Sequence, residues 1–313
     1  MVGVELKKSH SGIISALAFI GMLFLGFSWV QSTQQAITGQ QQLLLSSIVR
    51  TQSAILEGHL LSAFNSTQVL AYEIERNNGK TDWFEDYANA LVNSLGDIKH
   101  LQLAPDGIIT DVYPVGNEPI LGLDILSTPK YIEEASLSVK NQKMFVVAPI
   151  ELIQGGVAVI CRVPVFLNKG AQEESFWGFV SAVVYLDNLL GATQLEALEK
   201  EGYQFSLTRQ RTASQGTVIL SSSALPIGDL YATADLMLPA GNFSLSISRQ
   251  PSESFGTNRN VSFLLISCIS LLLSFSLYAM LIQPLKLKKQ VKEKTSELQD
   301  LCSTKYSLEF ANA

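Results

Sequence analysis

A few polar side chains stand among apolar stretches of this chain, and any chemistry has to be built from them. Arg162 lies between Val157-Ala-Val-Ile and Val163-Pro-Val-Phe. A guanidinium in such surroundings needs an anionic partner with planar oxygens. A bound carboxylate would serve, and so would a structural bridge to Asp124 or Glu151; the sequence leaves both open. Tyr113, Asn117, Asp124, Gln154 and Trp177 complete a candidate ligand-binding set with Arg162. A small-molecule pocket is mostly apolar with a few directed polar groups, and this set supplies them.

Catalysis has far less to draw on. The chain has no Gly-rich phosphate loop and no H-E-x-x-H, G-x-S-x-G or C-x-x-C motif. His10, His59 and His100 are its only histidines, and each reads as an ordinary surface or core residue rather than a metal ligand or base. No nucleophile–base pair supports an extracytoplasmic hydrolase. The expectation is a chain that is not an enzyme, with no catalytic residues, no metal and no cofactor.

The elements that must position these residues follow from composition. The 313 residues include 22 Lys+Arg, 28 Asp+Glu and 47% hydrophobic residues, with only 16% charged. The mean hydropathy is +0.23 and the pI about 5.2. A disordered chain is excluded, as is a basic nucleic-acid binder. Residues 13–30 and 261–282 carry no charge, and each is long enough to cross a bilayer as a helix. The first could be a signal peptide, but its apolar run is too long and no small-residue cleavage site follows Val30. An uncleaved anchor is the preferred reading. Lys7 and Lys8 precede the first span, and Lys286, Lys288, Lys289, Lys292 and Lys294 follow the second. Cations stay on the cytoplasmic side, so both termini are expected inside and residues 32–260 outside. The charge balance agrees, since residues 33–261 hold 14 Lys+Arg against 23 Asp+Glu. Cys161, Cys268 and Cys302 then fall in three different compartments, which leaves no intrachain disulfide.

Residues 33–78 have no proline, and Leu45, Val49, Leu56, Leu60, Phe64, Leu70 and Ile74 form one apolar stripe. This predicts a long helix that continues the first span and ends at Asn77-Asn78-Gly79. A second helix is expected after a Thr81 or Asp82 cap, with Phe84, Tyr87, Leu91 and Leu95 on one face. Alternation from Ile98 predicts a strand, a Pro105-Asp106-Gly107 turn and a return strand over 108–113. Thr128-Pro129 is expected to open a helix reaching about Asn141. Strands follow near 143–148, 157–166 and 176–185, with a turn at Gln154-Gly155-Gly156. A short helix near 194–201 leads to strands near 203–208, 217–221 and 241–249. Gly107, Gly155 and Gly156 suit turns, and Gly122 and Gly178 suit close backbone approach. Pro105, Pro114, Pro149 and Pro164 are expected to mark strand edges. Gln283-Pro284 should break the second long helix, and a charged helix follows. Its Leu287, Val291, Lys294, Leu298, Leu301, Lys305 and Leu308 recur at heptad steps, as in a parallel coiled coil. The competing reading is a basic helix lying on anionic lipid. The fold class is α+β.

Four blocks carry a family resemblance. They are Leu101-Gln-Leu-Ala-Pro-Asp-Gly-Ile-Ile-Thr-Asp-Val-Tyr-Pro-Val-Gly-Asn-Glu-Pro-Ile-Leu-Gly-Leu-Asp-Ile-Leu, Pro149-Ile-Glu-Leu-Ile-Gln-Gly-Gly, Arg162-Val-Pro-Val-Phe and Phe176-Trp-Gly-Phe-Val. In this order, between two spans, they resemble bacterial CHASE domains, the extracytoplasmic sensors of histidine kinases and nucleotide cyclases. The resemblance covers roughly residues 80–190. It implies a stalk helix (32–78) and two PAS-like α/β units, membrane-distal (79–192) and membrane-proximal (193–260). These sit between transmembrane helices at 13–31 and 261–282, with residues 1–12 and a signalling helix at 283–313 in the cytoplasm. The distal unit would bind a small molecule. The last 31 residues are too few for a catalytic output domain and hold no phosphoacceptor histidine. The chain is therefore expected either to be truncated or to act through a partner. The match to plant cytokinin receptors is poor, and cytokinin is not carried over. The expected function is a transmembrane receptor in the bacterial inner membrane. It would be a homodimer that binds a small molecule in the periplasm and signals through the second span and coiled coil. The alternative is a membrane-anchored partner-binding or assembly protein.

Overall fold

The computed structural model describes residues 8–96, 98–116, 118–129, 131–152, 155–170, 174–211, 216–249 and 254–311. Asn117 and Gln154 lie outside the described residues. The chain divides into two compact units. One is Gln40–Gln250, and the other joins Met1–Gly39 to Pro251–Ala313.

Helix α1 runs unbroken over Lys8–Arg76. Within the Gln40–Gln250 unit its whole predicted stripe is buried, every one of Leu45, Val49, Leu56, Leu60, Phe64, Leu70 and Ile74 at 2% exposure or less. Burial of each such side chain contributes about 1.5–3 kcal/mol. The helix stops where Asn78 and Gly79 take positive φ and the Gly79 amide donates to the Ile74 carbonyl at 2.8 Å. That bond satisfies a terminal carbonyl in the manner of a Schellman cap.

Helix α2 (Phe84–Leu95) starts after Trp83 with no side-chain cap, so neither Thr81 nor Asp82 serves as predicted. Phe84 and Ala88 are its buried residues, whereas Tyr87 is exposed and stands edge-on to Trp83.

Five antiparallel strands form the first sheet in the order β2-β1-β5-β4-β3. They are β1 (His100–Pro105), β2 (Asp111–Tyr113), β3 (Phe145–Glu151), β4 (Val157–Leu167) and β5 (Ser175–Tyr185). One face packs on the α1 stripe through Leu101, Leu103, Val146, Cys161, Val180 and Ala182. The other face is covered by the segment after β1 and by helix α3 (Ile132–Asn141), whose Ala135 joins Ile109, Ile125, Phe145, Ile160 and Phe179 in a second core. A sheet covered on both faces hides its alternation. Accordingly β1 is buried at five of its six positions.

Helix α3 begins later than Thr128-Pro129 predicts, with Tyr131 at its N-cap and no side-chain cap. The Thr128 hydroxyl donates instead to the Asp124 carbonyl at 2.5 Å. The return strand is also shorter than predicted, because Ile108 pairs only with Asp124 in an isolated bridge. Gly178 does allow close approach, since a Cβ there would lie 2.1 Å from the Ala104 carbonyl oxygen. Gly122 has open space around it and a positive φ instead, so it serves a turn. Pro149 lies in edge strand β3. Pro164 lies past Arg162, the last β4 residue on this side that pairs with β3.

After short helices α4 (Leu186–Gly191) and α5 (Leu195–Lys200) comes a second antiparallel sheet, ordered β7-β6-β9-β8. Its strands are β6 (Tyr203–Gln210), β7 (Thr217–Ser222), β8 (Tyr231–Asp235) and β9 (Asn242–Arg249). Strand β8 is not predicted from the sequence. Its residues Tyr-Ala-Thr-Ala-Asp offer a single buried position, too weak an alternation to read.

In the other unit, helix α6 (Ser254–Ala311) passes through Pro284 without a break, against expectation. Proline removes one backbone donor, and the helix continues to either side of that gap. Helices α1 and α6 each hold a segment long and apolar enough to cross a membrane. They meet antiparallel. The Ser15 hydroxyl donates to the Ser274 carbonyl at 2.6 Å, and the Ser274 hydroxyl returns to the Ser15 carbonyl at 2.8 Å. Phe27 stacks on Phe263.

Candidate functional site

Strand register builds the site. Gln102 on β1 stands opposite Ser181 on β5, and Ser181 stands opposite Arg162 on β4. All three point to the sheet face away from α1, because their strand neighbours Leu101, Leu103, Cys161, Val180 and Ala182 point toward it. The three form one polar row across an apolar face, and each is fully buried.

The row is only partly satisfied. Arg162 Nε donates to Ser181 Oγ at 3.1 Å. Its Nη1 and Nη2, and both Nε2 and Oε1 of Gln102, have no hydrogen-bond partner among the described residues. Buried polar atoms are normally paired, and an unpaired one costs about 1–3 kcal/mol. Four in one row mark either a site for a guest or a place for water.

Tyr131, at the start of α3, lies over the guanidinium with its ring centre 4.9 Å from Arg162 Cζ. Burial pushes the Arg162 guanidinium down to about 10, opposed by Tyr131 and Glu134. It is still charged at neutral pH. Burial raises the Tyr131 phenol, opposed by Arg162. Two residues along β1 from Gln102, His100 shares the face and meets the Tyr185 hydroxyl at 3.3 Å. Its pKa is lowered by burial and then by Lys99, so the imidazole is neutral at pH 7. Cys161 points to the opposite face, and burial pushes its thiol up, which removes it as a nucleophile. No group of three metal-ligating side chains occurs among the described residues.

The predicted set is not gathered in one place. Arg162 sits in the row. Tyr113 and Trp177 pack against the core on the α1 side, where Tyr113 donates to Asn89 Oδ1 at 2.7 Å and Trp177 Nε1 to the Gly79 carbonyl at 3.2 Å. Asp124 accepts from the Leu126 and Ser127 amides and from the Ser127 hydroxyl. That hydroxyl bond is the main reason its carboxyl falls below the usual range. The expected bridges from Arg162 to Asp124 or Glu151 are not formed among the described residues. Asn117 and Gln154 lie outside them.

Sequence reasoning missed Gln102, Ser181, Tyr131 and Glu134. Glu134 faces a second buried arginine, accepting from Arg209 Nη2 on β6 at 3.2 Å, while Arg209 Nη1 donates to the Ala148 carbonyl on β3 at 3.3 Å. Helix α3 thereby places Tyr131 on Arg162 and Glu134 on the second sheet.

Two antiparallel sheets packed on a helix, one carrying a buried polar row on its covered face, define an α+β domain. Residues 97–220 match the CHASE domain family. No curated protein matches the chain. Among solved structures, an extracellular ligand-binding receptor from Desulfohalobium retbaense is 15% identical with a TM-score of 0.48. That match covers 66% of this chain and 40% of the receptor, so this chain spans well under half of that protein's length. The sensory domain of the Campylobacter jejuni chemoreceptor Tlp3 is 10% identical with a TM-score of 0.46, covering 71% of this chain and 96% of its own. A methyl-accepting chemotaxis protein X is 14% identical with a TM-score of 0.33, covering 76% of this chain and 99% of its own.

Proposed function

We propose that this chain is a transmembrane receptor whose extracytoplasmic CHASE domain binds a small molecule at the Gln102–Ser181–Arg162 row. The observation that carries the reading is Arg162, a wholly buried cation with two nitrogens left without partners among the described residues. Leaving a buried charge underused costs several kcal/mol, and a bound anion would offset that cost. The CHASE match over 97–220 supports the sensor role independently.

The wider layout is part of the same proposal. The apolar segments of α1 and α6 would span the inner membrane of a bacterium, with both termini cytoplasmic and the sensor in the periplasm. Their antiparallel packing at Ser15 and Ser274 suits such a hairpin, as do the lysines after residue 285. The two sheets along one helix support two PAS-like units, membrane-distal and membrane-proximal. Leu287, Val291, Leu298 and Leu301 are exposed in the single chain, which supports a homodimeric coiled coil passing the signal to a cytoplasmic output domain.

The test is a thermal-shift screen of the full chain in detergent, parent against Arg162→Gln, over amino acids, organic acids and purines. A compound that raises the midpoint of the parent and not of the variant supports the site. If a compound binds parent and variant alike, Arg162 is structural. If nothing binds the parent and a protein partner is captured instead, the assembly-protein reading takes over.

A further inference from the structure

We infer that the buried row selects a small monocarboxylate carrying a second, uncharged hydrogen-bonding group, with Arg162 reading the carboxylate and Gln102 the other end. This rests on the reading of the row as the ligand site and goes on to name the chemistry that fits it.

Consider first which edges are open. Ser181 Oγ already holds Arg162 Nε, so the guanidinium offers its Nη1–Nη2 end, a fork that matches two carboxylate oxygens. Among the described residues Gln102 offers a free donor, Nε2, and a free acceptor, Oε1. A partner satisfying both must itself donate and accept, as an amide or hydroxyl does. Gln102 and Arg162 stand on strands separated by one strand, which places their Cα atoms about 10 Å apart. Two long side chains on one face at that separation can hold opposite ends of one small molecule.

Charge then narrows the class. Arg162 is the row's only charged member. Glu134, the acid that acts on it across space, is committed to Arg209. His100 is neutral at pH 7, and its neighbour Lys99 lies outside the row. One carboxylate therefore balances the site. A second carboxylate at the Gln102 end would meet no cation of the row, and an ammonium there would meet no carboxylate of the row. Burying either charge unpaired is costly. Apart from His100 and the rings of Tyr131 and Tyr185, the surroundings are apolar, with Ile109, Ile125, Ile160 and Phe179, and suit a short hydrocarbon link.

The test uses the full chain in detergent and titration calorimetry with four kinds of probe. These are ω-amido acids (succinamate, glutaramate), the matching plain acids (butyrate, pentanoate), the dicarboxylates (succinate, glutarate) and the zwitterion glutamine. An ω-amido acid is expected to bind at least about tenfold tighter than its plain and dicarboxylate counterparts, because a site built around paired polar groups rejects ligands that leave them open. Gln102→Leu, which removes two unpaired atoms and should fold well, is expected to erase that preference while plain acids bind within about threefold of parent. Arg162→Gln is expected to lose all acids. If succinate or glutamine binds tightest and Arg162→Gln still abolishes binding, the site stands and this ligand class is wrong. If no acid binds the parent while Gln102→Leu and Arg162→Gln both fold, the row holds water and the site reading itself falls.

Discussion

His100 gives the residue scale its most accessible signature. Its pKa is lowered, first by burial and then by Lys99. The unfolded chain therefore binds a proton more readily than the fold once pH drops through about 6.5. Stability contributed by neutral His100 is complete above that pH and is lost progressively below it. Thermal midpoints measured from pH 7.5 to 5 should fall, and His100→Gln should flatten part of the fall. Equal slopes in parent and variant would show that the imidazole is not buried as described. Arg162 behaves differently, because it stays charged throughout this range, and its effect is on packing rather than titration. Gln102 and His100 also show what the sequence concealed. In Ile98-Lys-His-Leu-Gln-Leu-Ala, alternation assigns Leu101 and Leu103 to the core and His100 and Gln102 to water. Both histidine and glutamine are buried, because the segment after β1 folds over the second face, and period-two patterning carries no trace of a second cover.

Among the elements, β1 and β5 depend on one close approach. Gly178 pairs with Pro105, and a Cβ there would overlap the Ala104 carbonyl oxygen. Gly178→Ala should cost about 3 kcal/mol or more, read as a lowered urea midpoint, since the obstruction is backbone and cannot rotate away. A cost under about 1 kcal/mol would mean the strands part easily there. The two sheets are tied by α3 through Glu134 and Arg209, whose side chains are 14% and 6% exposed. Glu134→Gln leaves Arg209 buried without its counter-charge, and a loss of about 3–5 kcal/mol is expected. An unchanged midpoint would show that the pair is dispensable. The elements themselves were mostly legible. The α1 stripe follows from helical periodicity, and β4 and β5 from nearly continuous apolar runs. The α3 start was misplaced because Thr128 bonds backward to Asp124 instead of capping, a choice between two local bonds that sequence does not decide. Tyr113 and Trp177 lie on the strands expected, but both occupy the α1 side of the sheet while Arg162 occupies the other, a difference of face that strand assignment alone does not give.

At the scale of the whole molecule, the proposed receptor must cross the membrane twice and pair with a second copy. Alkaline phosphatase fused after residue 170 should be active, and the same enzyme fused after residue 300 silent. The reverse pattern would remove the periplasmic assignment. For the dimer, Leu298 is exposed in the single chain and belongs to the proposed seam. Leu298→Asp would bury a charge in that seam. Oxidative crosslinking through Cys302 should therefore yield dimers for the parent and far fewer for the variant. Equal crosslinking would favour a helix lying on lipid.

The central claim is that the Gln102–Ser181–Arg162 row holds a ligand, and an experimental structure of the full chain, purified without added ligands and again with the best compound from the screen, tests it most directly. The account predicts density for a small acid with two oxygens within about 3 Å of Arg162 Nη1 and Nη2 and a polar group at the same distance from Gln102 Nε2 or Oε1. Density for the compound elsewhere, with ordered waters or a protein carboxylate satisfying Arg162, would contradict it.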